Sequence, residues 1–109
     1  MTDQHDIIAA LYQVILARKA NPGEKSYTAS LYAKGLDKIL GKLGEEATEL
    51  VVAGKGGERR EIIGEAADVI YHMLVLLGHY EIAPEEIYAE LRRRFGISGI
   101  EEKEARPVK

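Results

Sequence analysis

Apolar residues recur at three- and four-residue spacing along most of this chain, and no segment alternates polar and apolar residues as a half-buried strand does. The first such segment is predicted as a helix from Asp3 to Ala20, with one apolar face formed by Ile7, Ile8, Leu11, Val14 and Ile15. The tripeptide Asn21-Pro22-Gly23 ends it, since Pro and Gly there interrupt a helix. The sequence therefore predicts an all-α fold.

Four further helical segments follow at close intervals, predicted at Tyr27–Lys34, Leu36–Ala53, Glu58–His79 and Pro84–Arg94. Ser26 is placed to cap the first of them, Gly35 allows a bend, and the residues from Gly54 to Gly57 are predicted as a turn. Short connections of this kind are typical of a helix bundle. We expect one domain over residues 1–109, a bundle of four to five helices with a short polar tail from about residue 95.

The stretch from Val69 to Leu77 is apolar on nearly every side of its predicted helix. A helix of that kind needs cover all round, and a chain of 109 residues has few helices to supply it. We therefore expect a homodimer that completes the bundle. A net charge of −3 disfavours nucleic-acid binding. The longest wholly apolar run, Met73–Leu77, is too short to cross a bilayer, and the polar N-terminus resembles no signal peptide, so a cytoplasmic location is expected.

Acidic residues form two clusters, one at Glu45, Glu46 and Glu49 and the other at Glu65 and Asp68. Residues three apart share one flank of a helix, so two antiparallel helices would bring the clusters together. Such carboxylates repel one another unless protons or a cation neutralise them. With no Cys in the chain, a bound metal must be held by oxygen or imidazole, and Mg²⁺ prefers carboxylate and water oxygens.

An ordinary solvated helix face is the alternative interpretation of these acids. No Lys or Arg follows Glu45, Glu46 or Glu49 by three or four residues. The first cluster therefore has no cation on its C-terminal side at the spacing of helical ion pairs. Asp68 leads directly into the most apolar run of the chain. The residues alone leave a metal site and a solvated acidic surface both open.

The acidic spacing is also a family signature. The motif Glu45-Glu46-x-x-Glu49 is followed, after fifteen residues, by Glu65-x-x-Asp68. This pattern resembles the signature of the MazG-like all-α nucleotide pyrophosphohydrolases. Ser26-Tyr27-Thr28-Ala29-Ser30-Leu31 and the tail Ser98-Gly99-Ile100-Glu101-Glu102-Lys103 narrow the resemblance to the phosphoribosyl-ATP pyrophosphatase family. The similarity extends from the first helix to about Arg106.

This resemblance implies Mg²⁺-dependent hydrolysis of phosphoribosyl-ATP to phosphoribosyl-AMP and pyrophosphate, the second step of histidine biosynthesis, by a cytoplasmic homo-oligomer. It implies metal ligands at Glu46, Glu49, Glu65 and Asp68. Glu45 is a further acid of the motif, and Glu45 or Glu49 is the candidate base for the attacking water. A MazG-like enzyme acting on other (d)NTPs is the alternative function, and a non-enzymatic helical dimer is the alternative outside enzymes.

Seven further residues are candidates for substrate binding: Ser26, Tyr27, Lys34, Lys38, Lys42, His72 and Lys103. The first three lysines are spaced four apart before the acids, where they either meet phosphates or form a solvated face. Ser26 and Tyr27 are interpreted as substrate contacts, or else as a helix cap and a packing ring. His72 follows Asp68 by one turn, and a core histidine bonded to Asp68 is the favoured interpretation.

Overall fold

A computed structural model describes residues 6–23, 25–95 and 103–104. Its helices are α1 (Ile7–Ala20), α2 (Tyr27–Lys34), α3 (Leu36–Gly56), α4 (Arg59–His79) and α5 (Pro84–Arg94). No strand occurs in that part of the chain, which confirms the all-α class and the upper helix number. The predicted start of the first helix at Asp3, the tail motif up to Glu102 and the chain end lie outside the described residues.

Polar caps and glycines fix most helix boundaries. The Oγ atom of Ser26 accepts a hydrogen bond from the backbone N–H of Ala29 at 2.9 Å and so begins α2 as predicted. Gly35, with φ of 100°, turns the chain between α2 and α3. The carboxylate of Glu58 accepts from the N–H of Glu61 at 3.0 Å, so Glu58 caps α4 and the helix begins one residue after the predicted start.

The predicted turn at Gly54–Gly57 is wrong for its first three residues. Helix α3 continues through Gly56, and only Gly57 adopts the left-handed conformation, with φ of 80°. Glycine inside a helix costs about 1 kcal/mol relative to alanine. The packing of α3 along α4 outweighs that cost, and both helices are 21 residues long.

Helix α4 is the centre of the bundle and packs against both α3 and α1. The buried core is formed by Tyr12, Ile15, Leu31, Ile39, Leu74 and Val75. Each buried aliphatic side chain contributes about 1.5–3 kcal/mol relative to its exposed state. By length and composition α4 is also apolar enough to cross a membrane. However, α4 packs against α1 and α3 and carries the acids Glu65 and Asp68, which is typical of the central helix of a bundle.

The apolar run Val69–Leu77 is only partly covered within one chain. Its side chains Ile70 and Met73 remain 39% and 38% exposed. They line a groove between α4, α5 and the start of α1 with a volume of about 160 Å³, together with Ile8, Leu74, Leu77, Pro84, Ile87, Tyr88 and Leu91. The described chain therefore leaves an apolar surface where the sequence predicted a need for cover.

Candidate active site

The two acidic clusters meet where α3 and α4 pack along each other, on either side of the short connection at Gly57 and Glu58. Carboxylate oxygens of Glu46, Glu65 and Asp68 all lie within 4.8 Å of one another. The same holds for Glu45, Glu46 and Glu49. Glu46 belongs to both sets, so the structure brings together all five acids that the spacing singled out.

Glu46 is the central acid and is buried, with 8% of its surface exposed. The Nζ atom of Lys42 lies 3.6 Å from a carboxylate oxygen of Glu46 and 3.6 Å from one of Glu45. Lys42 precedes Glu46 by one turn of α3, whereas the absence of a helical ion pair was predicted from the residues that follow the acids. Lys42 therefore supplies the opposite charge that a buried carboxylate needs.

The other acids remain short of positive charge. Burial raises the pKa of Glu65, and the negative charges of Asp68 and Glu46 raise it further. The pKa of Glu49 is raised mainly by the charge of Glu46. The Oε2 atom of Glu65 is buried and has no hydrogen-bond partner among the described residues. A donor set of carboxylate oxygens with one oxygen unsatisfied fits a hard divalent cation such as Mg²⁺.

A hydrogen-bonded pair of side chains adjoins the acids. The Nδ1 atom of His72 lies 2.8 Å from the backbone carbonyl oxygen of Asp68, and the Nε2 atom lies 2.9 Å from the phenol oxygen of Tyr27. A carbonyl only accepts, so Nδ1 donates this bond, and in the Nδ1–H tautomer the Nε2 atom accepts from the Tyr27 hydroxyl. His72 is 6% exposed. It is thus a core histidine, as favoured, although it contacts the carbonyl of Asp68 rather than the carboxylate.

The remaining predicted contacts are distributed more widely. The Ser26 hydroxyl is used as the α2 cap. Tyr27 is half-exposed; burial raises the pKa of its phenol, and the nearby Lys42 ammonium opposes that effect. Lys34 and Lys38 are exposed on α2 and α3, and Lys103 is also exposed. No contact among the described residues joins these three lysines to the acids.

A cavity that the sequence patterns did not predict lies beside the acids. It has a volume of about 540 Å³ and is lined by Thr48, Glu49, Val52, Ala53, Gly56, Glu61 and Glu65. Glu49 and Glu65 thus belong to both the acidic cluster and the cavity wall. The four-residue steps from Thr48 to Val52 and Gly56 are the signal that was available, because they place small and branched residues on one face of α3.

Comparison with known proteins places this arrangement in a family. The family model described as phosphoribosyl-ATP pyrophosphohydrolase matches residues 8–95. A phosphoribosyl-ATP pyrophosphatase of Geotalea daltonii is 71% identical over 101 residues, covering 93% of this chain and 95% of the relative. One of Geobacter sulfurreducens is 61% identical over 106 residues, 97% of this chain and 98% of the relative. A third, from Paramagnetospirillum magneticum, is 47% identical over the full length of both chains. The chain belongs to the phosphoribosyl-ATP pyrophosphohydrolase family.

Proposed function

We propose that this protein hydrolyses phosphoribosyl-ATP to phosphoribosyl-AMP and pyrophosphate, the second step of histidine biosynthesis, with Mg²⁺ as cofactor. Family membership supports the substrate. The observation that carries the chemistry is that Glu46, Glu65 and Asp68 meet within 4.8 Å beside the ammonium of Lys42. Such a site has the oxygen ligands and the negative charge that a Mg²⁺–polyphosphate complex requires.

Glu46, Glu49, Glu65 and Asp68 are the residues that would hold the metal. When bound, Mg²⁺ neutralises charge on the polyphosphate and favours departure of pyrophosphate. Water is the nucleophile in this proposal: its oxygen bonds to the α- or the β-phosphorus, the bond from that phosphorus to the α–β bridging oxygen breaks, and phosphoribosyl-AMP and pyrophosphate separate. The chain contributes position and charge, because Lys42 lies at the edge of the acids.

Glu45 and Glu49 are the candidates to take the proton from that water. The Glu45 side chain is 60% exposed, so water reaches it, and its contact with Lys42 holds it beside Glu46. The negative charge of Glu46 raises the pKa of Glu49, which makes the Glu49 carboxylate a better proton acceptor than an ordinary glutamate. Replacing the base by its amide lowers turnover with unchanged Mg²⁺ affinity, whereas replacing a ligand lowers both. Titration of Mg²⁺ against Glu45→Gln and Glu49→Gln therefore separates the two roles.

We also propose that a second copy of this chain covers the groove lined by Ile70 and Met73. The support is the wholly apolar lining of that groove and its continuity with the apolar run of α4. A copy related by twofold symmetry presents the same surface in return. Sedimentation equilibrium should give a dimer for the natural chain and a folded monomer for Met73→Glu. A dimer that persists in Met73→Glu contradicts this assignment of the interface.

A substrate panel tests the activity. Pyrophosphate release should be fast with phosphoribosyl-ATP and Mg²⁺, abolished by chelator, and much slower with dUTP, dCTP or GTP. Faster release from one of those nucleotides would instead support a (d)NTP pyrophosphohydrolase on the same acids. No release from any of the four compounds would contradict an enzymatic role. The cytoplasmic location proposed for this biosynthetic activity is checked by cell fractionation.

A further inference from the structure

We infer that the 540 Å³ cavity beside the acids receives the nucleoside of the substrate and so fixes its direction along α3. The polyphosphate then lies toward Lys42, and the base lies toward Gly56. The phosphate of the substrate's phosphoribosyl group lies beyond the base, toward Arg59 and Arg60. This inference rests on the proposed function, and it names the residues that distinguish phosphoribosyl-ATP from a simple nucleoside triphosphate.

Charge gives the direction. Among the described residues that line the cavity, three are carboxylates, Glu49, Glu61 and Glu65, and none is Lys or Arg. Two of them, Glu49 and Glu65, belong to the acids that would hold the cation, so phosphates reach them only with that cation bound. Lys42 lies on the other side of Glu46, four residues earlier on α3, where its ammonium contacts the acids. The anionic end of the substrate is therefore favoured on the Lys42 side, and the uncharged base in the cavity.

The cavity also suits a nucleoside in size and lining. Its volume lies within the range of small-molecule sites, about 300–1,000 Å³. The Val52 side chain is 66% exposed on its wall, next to the buried Ala53. A flat heterocycle covers such an aliphatic surface and removes it from water. Gly56 leaves the far end open, since an added Cβ atom there would meet nothing within 4 Å.

Three cations lie close in sequence to the end of the cavity at the α3–α4 connection. Lys55 precedes the lining residue Gly56, while Arg59 and Arg60 precede the lining residue Glu61. Arg59 and Arg60 occupy the first turn of α4, where positive charge opposes the helix dipole, so helix stability does not account for them. Lys42 and the lining residue Gly56 are separated by about 21 Å along α3, at 1.5 Å per residue. That length leaves room for a nucleotide with phosphates at both ends.

A pair of glycine substitutions tests the cavity. Gly56→Leu places a side chain in it, whereas Gly54→Leu, two residues earlier on α3, adds the same bulk at a residue that does not line it. Both positions have free space for a Cβ atom and leucine favours a helix over glycine, and a thermal melt of each variant checks that it is folded. We expect Gly56→Leu to raise KM for phosphoribosyl-ATP at least about tenfold, because its side chain occupies the space of the base, and Gly54→Leu to leave KM unchanged. If Gly56→Leu is poorly folded, Val52→Trp takes its place with the same expectation. Equal KM values for a folded cavity variant and Gly54→Leu would overturn the inference.

The second phosphate is tested with the double variant Arg59→Gln/Arg60→Gln against Arg92→Gln, a change of an exposed arginine on α5. The double variant should raise KM for phosphoribosyl-ATP about tenfold or more, while the inhibition constant of Mg-ATP as a competitor stays the same. Arg92→Gln should change neither constant. Equal losses for both ligands, or no loss for either, would contradict the assignment. A natural chain that releases no pyrophosphate from phosphoribosyl-ATP would instead count against the proposed function.

Discussion

The phenol oxygen of Tyr27 lies 2.9 Å from the Nε2 atom of His72 and joins the first turn of α2 to the middle of α4 across 45 residues of sequence. His72 in turn bonds the carbonyl oxygen of Asp68, an acid of the site. This chain of contacts fixes the Tyr27 ring close to Lys42, the cation that contacts Glu46. His72 is therefore a positioning residue for the acidic site in this account.

Removing either partner of this pair should weaken catalysis without unfolding the protein. Tyr27→Phe and His72→Leu should each lower kcat/KM about tenfold, equivalent to the loss of about one hydrogen bond. His72→Gln keeps an acceptor near the position of Nε2 and should recover most of the activity. The double variant Tyr27→Phe/His72→Leu should lose little more than either single variant, because both remove one contact. Fully additive losses would show that the two side chains act separately.

Without bound metal, mutual repulsion of the acids should lower the stability of the folded protein. Because the pKa of Glu65 is raised above its ordinary value of 4.5, its protonated form favours the fold. The stability that it contributes is thus present below about pH 4.5 and lost as the pH rises through its folded pKa. In chelator, Glu65→Gln should melt higher than the natural chain, and the difference should grow from about pH 4.5 toward neutrality.

Magnesium should reverse that order, because the natural carboxylate binds the cation and the amide binds it more weakly. Thermal melts of both chains with chelator and with excess Mg²⁺ make the comparison. Glu85→Gln, on the first turn of α5, is the control. Its melting temperature should differ from that of the natural chain by the same small amount in Mg²⁺ and in chelator. A higher melting temperature for the natural chain in chelator would contradict the repulsion argument.

Gly78 is a position where packing requires glycine. The hydroxyl of Tyr32 donates to the carbonyl of Val75 at 2.6 Å and lies where a Cβ atom on Gly78 would be placed. The carbonyl of Gly78 also accepts from Lys19 at 2.8 Å. Gly78→Ala should therefore cost about 1–3 kcal/mol through overpacking. Gly64→Ala, on the same helix with free space, should gain about 0.5–1 kcal/mol. Denaturant titration of both variants measures the difference, and equal effects would exclude the packing explanation.

Local signals in the sequence were sufficient for the helix boundaries that caps determine. Ser26 and Pro84 begin helices as predicted, because their effect depends on neighbouring backbone groups alone. The end of α3 was misplaced since its glycines are held helical by packing against α4, which local propensity does not include. Helix boundaries set by tertiary contacts are therefore the ones that sequence patterns miss.

The site shows the same division. Helical spacing predicted that the acids lie together, since residues three apart share a flank on any helix. The Tyr27–His72 bond and the cavity wall depend on how separate helices pack, and neither follows from spacing within one helix. Glu46 is buried for the same reason, because α4 packs against α3.

The most direct test of the central claim is Mg²⁺-dependent pyrophosphate release from phosphoribosyl-ATP by the natural chain, Asp68→Asn and Glu85→Gln. Asp68→Asn keeps the shape of the side chain and removes one charge from the acidic cluster. The account predicts that it lowers turnover roughly a hundred- to a thousandfold and weakens Mg²⁺ binding, while Glu85→Gln matches the natural chain. Natural turnover and Mg²⁺ affinity in a folded Asp68→Asn variant would contradict the account, because the acids would then be only a solvated helix face.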